Sequence, residues 1–158
     1  MSAPAGAAEL EVNIEIPQLD VVEYHRPYVA IWLEPADRTA AKTLSVWYEV
    51  ANRKKEGDKW LKDLRQWWRR AGRDMKVPAD GITGATKPVG KHAVRLDPTN
   101  KVLAELVPGD YEVVVEAARE VGGREIVRLP LKWPAEAPVL TEVRGKEELG
   151  SVSLKVTP

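Results

Sequence analysis

Short segments in which apolar and polar residues alternate recur along most of this chain of 158 residues. The first of them, residues 9–16, places Leu10, Val12, Ile14 and Ile16 on one side and polar side chains on the other. A period of two residues is typical of a β-strand with one face buried. The chain is therefore predicted to fold mainly as β-sheet.

The other predicted strands follow this first one and are separated by turn residues. They cover residues 28–33, 42–51, 92–96, 111–119, 125–133, 139–144 and 151–156. Gly122-Gly123 is a strong signal for a two-residue hairpin. The turn at residues 107–111, Val-Pro-Gly-Asp-Tyr, resembles one that recurs in immunoglobulin-like bacterial modules. These features predict an antiparallel Ig-like β-sandwich and favour it over a closed barrel.

One stretch, about residues 58–72, has the period of a helix instead. Its apolar residues are spaced to form a single stripe: Trp60, Leu61, Leu64, Trp67 and Trp68. Asp58 is suited to the N-cap of such a helix and Gly72 to its C-cap. One amphipathic helix is therefore predicted, inserted before a long loop.

That loop, residues 76–91, is punctuated by prolines and glycines. A loop of this length inside a compact domain is usually functional or disordered. It contains the sequence Asp80-Gly81-Ile82-Thr83-Gly84-Ala85-Thr86, here called the motif. The small residues before Thr86 leave room for another molecule to approach its hydroxyl. Asp80 is expected to bond the amides of its own turn.

The motif follows the pattern Asp-x-x-[Ser/Thr]-Gly-Ala-Thr and resembles the signal read by bacterial ApbE-type flavin transferases. Those enzymes join FMN to the last threonine through a phosphoester, a linkage that requires an alcohol side chain. The resemblance implies that Thr86 carries FMN and that Asp80, Thr83, Gly84 and Ala85 belong to the recognised segment. A pattern this short also recurs by chance, and an ordinary loop is the alternative interpretation.

Features along nearly the whole chain resemble one exported bacterial family, domain of unknown function 2271. They are residues 27–32, the pairs Leu64-Arg65 and Trp67-Trp68, Lys87-Pro88 after the motif, the Pro108-Gly109-x-Tyr111 turn, and residues 116–120 and 122–124. The resemblance implies a periplasmic or otherwise extracytosolic flavoprotein that transfers electrons. Its implied partners are an ApbE-type flavin transferase and membrane or periplasmic redox proteins.

A flavin attached at Thr86 needs a flat surface for its ring and a cation for its phosphate. Trp67 and Trp68 are the aromatic candidates that precede the loop, and membership of the core is the alternative for both. Lys87 is the candidate partner of the phosphate, with an ordinary solvated charge as its alternative.

Composition and the lack of known motifs narrow the other function classes. Basic and acidic residues balance at 24 each, so no overall field favours nucleic acid. No apolar run is long enough to span a bilayer. There is no cysteine, which excludes disulfides, thiolate zinc sites and iron–sulfur clusters. No hydrolase or nucleotide-binding motif is present, so hydrolysis is not predicted. The family resemblance implies a redox carrier rather than a stand-alone enzyme.

The chain is predicted to form one domain over residues 9–158. The small residues 1–8 are interpreted as a disordered remnant left after removal of a signal peptide. The alternative function is a non-enzymatic Ig-like protein-binding module without a cofactor, because this scaffold hosts many unrelated functions.

Overall fold

A computed structural model of the protein describes residues 8–50 and 56–158. In these residues the strands are β1 (Glu9–Ile16), β2 (Tyr28–Pro35), β3 (Lys42–Tyr48), β4 (Thr83–Ala85), β5 (Gly90–Leu96), β6 (Gly109–Ala118), β7 (Arg124–Trp133), β8 (Val139–Arg144) and β9 (Ser151–Thr157). The helices are α1 (Glu56–Lys59), α2 (Arg65–Arg70) and α3 (Lys101–Ala104), and two 3-10 turns cover Leu61–Asp63 and Gly72–Asp74.

The strands form two sheets that pack face to face. One has the order β5-β1-β9-β8 and the other the order β4-β3-β2-β6-β7. The predicted β-sandwich is thereby confirmed. The prediction that it is antiparallel is wrong for one pair, because β4 runs parallel to β3.

The main core lies between the two sheets and is built from the alternation seen in the sequence. In β1 the even-numbered residues from Leu10 to Ile16 are at most 1% exposed, and their odd-numbered neighbours lie nearer the surface. Together with Val152 and Leu154 of β9 in the same sheet, they pack against β-branched and leucine side chains of the other sheet: Val29, Ile31, Leu33, Val113, Val115 and Leu129. Ala8, which was predicted to be part of a disordered remnant, packs against this core; residues 1–7 of that remnant lie outside the described residues.

A second apolar cluster covers the outer face of the five-stranded sheet. Strand β2 is central in that sheet and buried on both faces, which explains its continuous apolar sequence. Its Tyr28, Ala30 and Trp32 point away from the main core and join side chains from residues 56–74, here called the helical segment. The molecule therefore has three layers, in the order sheet, sheet and helical segment.

The helical segment is not the single helix that the sequence predicts. It is interrupted at Leu64, whose ψ of 71° is not helical, and again at Ala71. Asp58 lies inside α1 and not at an N-cap, and Gly72 begins a 3-10 turn and is not the C-cap. Leu61, Leu64 and Trp67 are buried as the stripe predicts.

The physical reason for the break at Leu64 is a buried carboxylate on the sheet below. Glu116 of β6 is 0% exposed and accepts hydrogen bonds from the backbone N–H groups of Gln66 (3.2 Å) and Trp67 (2.8 Å). The first N–H groups of a helix have no partner within that helix. Glu116 supplies the partner here, so α2 starts afresh above it.

Candidate functional site

The motif lies at the edge of the five-stranded sheet, where it adds strand β4. Val46 of β3 is paired with Thr83, and Tyr48 with Ala85. The N–H of Val46 also donates to the carbonyl of Ile82 at 2.9 Å. The loop predicted at residues 76–91 therefore contains a short ordered strand, and Thr86 is the residue that follows its last paired position.

Thr83 organises the turn that leads into this strand. Its hydroxyl accepts from the N–H of Ala79 at 3.1 Å and lies 3.2 Å from the carbonyl of the same residue, to which it donates. That carbonyl also accepts from the N–H groups of Ile82 and Thr83. Gly81 has a φ of 74°, a left-handed conformation that favours glycine. Asp80, predicted to bond the turn, is exposed and accepts no hydrogen bond from the described residues.

Thr86 is half-buried, and its hydroxyl makes no hydrogen bond to any described residue. Small residues surround it on the N-terminal side. Ala85 is exposed, and a Cβ added to Gly84 would contact only Cδ1 of Trp47, at 3.9 Å. The hydroxyl is therefore not enclosed by the core, and little side-chain bulk stands beside it.

A cation and two rings lie next to the motif. Nζ of Lys87 stands 5.7 Å from the centre of the Trp47 ring, within the range of a cation–π contact. The same ring meets His92 edge-on at 6.1 Å between centroids. Because Trp47 is only 3% exposed, it supports Lys87 and His92 from below and offers no open face to a ligand.

The two tryptophans singled out from the sequence lie in the second apolar cluster. Trp67 is 0% exposed, and its indole N–H donates to the hydroxyl of Thr43 at 3.0 Å. Trp68 is half-buried and packs against the same cluster, with its ring 6.3 Å from that of Trp67. The sequence left a core role open for both tryptophans, and in the structure both pack in this cluster. Trp67 presents no surface to a cofactor.

The exposed tryptophan is Trp60, which the sequence places on the buried stripe. It lies between α1 and the following 3-10 turn and is 46% exposed, whereas the other five are half-buried or buried. Helical spacing predicted it to be inside because that prediction assumed an unbroken helix. The helix is already interrupted at Trp60, between α1 and the 3-10 turn, and the sequence pattern contains no signal for this interruption.

Trp60 and the motif belong to the same end of the sandwich. Ala85 is paired with Tyr48, Tyr28 with Ala118, and Ala118 with Arg124, so these residues form one row across the sheet. Beyond this row lie the connecting loops, here called the motif end: residues 17–27, 86–89, 119–123, 145–150 and the described part of 49–60. Among the described residues, seven of the ten exposed large apolar side chains lie on these loops: Val21, Val22, Tyr24, Val50, Trp60, Val89 and Val121.

Tyr28 supports the surface below Trp60. Its hydroxyl donates to the carbonyl of Gly57 at 3.0 Å, which ties α1 to the sheet. Burial raises the pKa of Tyr28 to about 12, so this hydroxyl keeps its proton at neutral pH.

Other kinds of site are not found in the described residues. None of their helices has the length and apolarity needed to cross a bilayer. They also contain no group of three or more His, Asp or Glu side chains placed to hold a metal ion.

The fold defines a β-sandwich protein in which the motif forms one ordered edge of the five-stranded sheet. Over residues 9–151 the chain matches the family described as "Predicted periplasmic protein (DUF2271)". The chain belongs to this family, as the sequence resemblance predicts, and its expected location in the periplasm is the one that the family description gives. No curated protein and no solved structure gives a significant match.

Proposed function

We propose that this periplasmic protein is an electron carrier with FMN joined to Thr86 through a phosphoester. The observation that carries the proposal is the position of the motif, whose last residue displays an alcohol at an ordered sheet edge beside small residues. FMN, when bound, accepts and donates electrons, and the protein's part is to hold and surround it.

The surroundings of Thr86 fit a phosphoester. Its hydroxyl is not committed to a hydrogen bond with the described residues, and Lys87 follows it directly in the chain. A lysine ammonium is a suitable partner for a phosphate oxygen. Thr83 is the second threonine of the motif, but its hydroxyl is already bonded to the backbone of Ala79. Thr86 is therefore the better acceptor of the two.

The linkage requires an activated flavin, since the phosphate of FMN itself has no good leaving group. A flavin adenine dinucleotide supplies one. The oxygen of Thr86 forms a bond to the phosphorus on the flavin side, the pyrophosphate bond breaks and AMP leaves. The proton of the hydroxyl passes to a base of the flavin transferase, which acts on the exposed edge formed by β4.

Intact mass tests the proposal directly. Protein expressed together with an ApbE-type transferase is expected to gain the mass of one FMN less one water. Thr86→Ser should keep this gain and Thr86→Ala should lose it, because only the hydroxyl is essential. Thr99→Ala, at an exposed turn on the opposite end of the sandwich, is the matched control and should be modified normally. An unmodified wild-type chain, or a modified Thr86→Ala chain, would contradict the proposal.

The second function, a protein-binding module without a cofactor, is favoured by the apolar side chains of the motif end. Exposed apolar residues that cluster are typical of interaction surfaces. The two functions differ in an observable property. Protein purified from cells that contain the transferase should be yellow if Thr86 carries FMN and colourless if the module binds only another protein.

A further inference from the structure

The motif end contains a groove that no step described above uses. It lies between the helical segment and the β6–β7 hairpin and has a volume of about 530 Å³. Its apolar lining comes from Trp60, Ala118 and Val121, and its charged lining from Asp63, Arg65, Arg119, Glu120 and Arg124. A smaller hollow that also includes Trp60 is lined by His25, Arg26 and Glu49 among others. Trp60 thus contributes to two neighbouring concave surfaces.

Arg119 lines this groove with a guanidinium group that is almost fully covered by protein atoms. Its side chain is 7% exposed and is held by Glu148, with Nε 2.9 Å and Nη2 3.2 Å from the carboxylate oxygens. Its Nη1 is buried and has no acceptor among the described residues. Because this atom has no exposed surface, a ligand in the groove lies near the guanidinium group but does not bond this N–H.

The other two arginines differ in how firmly they are held. Arg124 is paired with the buried Glu116 at 2.9 Å, whereas Arg65 is exposed and forms no ion pair with the described residues. The acidic members, Asp63 and Glu120, are exposed, and Glu120 faces His25 at 3.5 Å. The groove therefore combines a half-exposed indole ring, three guanidinium groups, two of them already paired with buried carboxylates, and two exposed carboxylates.

This combination suits a flat ring that is apolar on its faces and carries carbonyl groups along one edge. Indole faces pack against such rings in an offset stack. Guanidinium groups donate to carbonyl oxygens and stabilise negative charge that develops there. The isoalloxazine ring of a flavin has this shape and this polar edge.

The groove is also within reach of Thr86. Tyr28 and Ala118, which lie under Trp60, are two and three strands away from Ala85 in the same row. Strands are about 4.8 Å apart, so this separation is about 10–14 Å. The chain from Oγ1 through the phosphate and the ribityl group to the ring has eight bonds, which span about 9 Å at the rise of an extended chain, and the ring itself extends further.

We infer that the flavin ring carried by Thr86 lies on Trp60 in this groove, with its polar edge toward Arg65, Arg119 and Arg124. The inference rests on the proposed function, because it takes FMN at Thr86 as given. In this arrangement Trp60, and not Trp67 or Trp68, is the flat surface for the ring. The arrangement also gives a role to residues 116–120 and 122–124, which the attachment of FMN to Thr86 does not require.

Fluorescence of the flavin, measured on the flavinylated protein, tests the inference. A tryptophan stacked on a flavin quenches its emission. Trp60→Leu is expected to raise the emission per bound flavin several-fold and to reduce the visible circular dichroism, while Trp60→Tyr keeps most of the quenching. Because Trp60 is 46% exposed, its replacement should leave the far-ultraviolet circular dichroism unchanged. Trp68→Leu is the competing variant and should not reproduce the effect.

The role of the arginines is tested by a second measurement, the reduction potential of the bound flavin. Arg65→Glu is expected to lower the reduction potential of the bound flavin, since a positive charge near the polar edge favours the more negative, reduced ring. A merely structural role of this exposed side chain would not move the potential.

The mass of each sample separates this inference from the proposed function. If wild-type protein gains no FMN, both are overturned. If FMN is found on Thr86 but the emission is unchanged in Trp60→Leu, or if Trp68→Leu produces the increase instead, the ring lies elsewhere and only the inference fails. An unchanged potential in Arg65→Glu likewise contradicts the orientation of the polar edge.

Discussion

Two threonines three positions apart in the motif have different surroundings and so different expected roles. The hydroxyl of Thr83 is bonded to the backbone of Ala79, while that of Thr86 makes no bond to the described residues. A hydroxyl that holds a turn contributes to stability, and one that is displayed is available for chemistry. The two substitutions to alanine should therefore separate stability from modification.

Thr83→Ala is expected to lower the free energy of unfolding by about 1 kcal/mol, the usual contribution of one hydrogen bond. Thr86→Ala should change it by no more than about 0.5 kcal/mol, as for a surface substitution. Urea unfolding of the two unmodified variants measures both values. A loss of more than about 1 kcal/mol in Thr86→Ala would show that this threonine is structural.

Glu34 is a buried carboxylate that couples stability to acid. It is 1% exposed, and it lies 3.1 Å from Nη2 of Arg70 and 2.5 Å from Nη1 of Arg128. Burial alone would raise the pKa of Glu34, but hydrogen bonds from Arg128 and Trp32 outweigh it and hold the pKa below its ordinary value. A carboxylate with a lowered pKa in the folded state stabilises the protein above its unfolded pKa, about 4.3.

Glu34→Gln should therefore lower the free energy of unfolding at pH 7 by about 2 kcal/mol, because two partly buried arginines lose their counter-charge. The difference from the wild type should shrink as the pH falls below about 4, where the wild-type carboxylate takes up its proton. Denaturant unfolding across this range measures it, with Glu136→Gln, on an exposed loop, as the control. A difference that stays constant with pH would contradict this account of Glu34.

At the scale of elements, the helical segment packs so closely on itself that a glycine is needed at one position. A Cβ added to Gly72 would lie 2.5 Å from Cζ3 of Trp67 and 2.7 Å from its Cε3. Both contacts are with a ring that is fully buried and cannot move aside. The glycine is needed for this close approach and not as the C-cap that its position in the sequence predicts.

Gly72→Ala is expected to destabilise the protein by about 1–3 kcal/mol, the usual cost of forcing extra volume into a packed core. Gly81→Ala tests a different cause, since a Cβ there meets no atom within 4 Å and only the positive φ opposes it. Thermal unfolding compares the two. Equal stability of Gly72→Ala and the wild type would mean that Trp67 can be displaced.

The sequence predicts the strands well because their alternation is a local property. The predicted bounds of β1 and β8 are those found, while β6 begins two residues earlier than expected, at Gly109. Strand β4 was missed, because Thr83-Gly84-Ala85 has no alternation and becomes a strand only by pairing with β3. The break at Leu64 was missed for a similar reason, since it depends on Glu116, some fifty positions away.

For the candidate site too, the sequence predicts the local features and misses those that depend on distant residues. A motif is local, so its residues could be named from the sequence, and the structure brings Thr83, Thr86 and Lys87 together at one edge. The exposure of Trp60 and the burial of Trp67 depend on how the helical segment meets the sheet. No local pattern contains that information.

At the scale of the whole molecule, one main core joins both sheets, so the protein should unfold in a single step. Leu154 of β9 is 1% exposed and packs between the sheets. Leu154→Ala is expected to lower the free energy of unfolding by about 2–5 kcal/mol. Tryptophan fluorescence and far-ultraviolet circular dichroism should report the same midpoint in both proteins. Two separate midpoints would show that the sheets unfold independently.

The three layers also separate stability from the proposed chemistry. The main core and the second cluster hold the sheets and the helical segment, while Thr86 and Trp60 lie outside both clusters at the motif end. If Thr86 carries FMN as proposed, loss of the FMN should therefore leave the fold intact.

The most direct test is a fragment mass spectrum of the tryptic peptide that contains the motif, from protein made with the transferase present. Trypsin cuts after Lys76 but not between Lys87 and Pro88, so the peptide covers residues 77–91 and holds both Thr83 and Thr86. The added mass of FMN is expected on every fragment that includes Thr86 and on none that includes Thr83 alone. An unmodified peptide, or FMN on Thr83, would contradict the attachment proposed here.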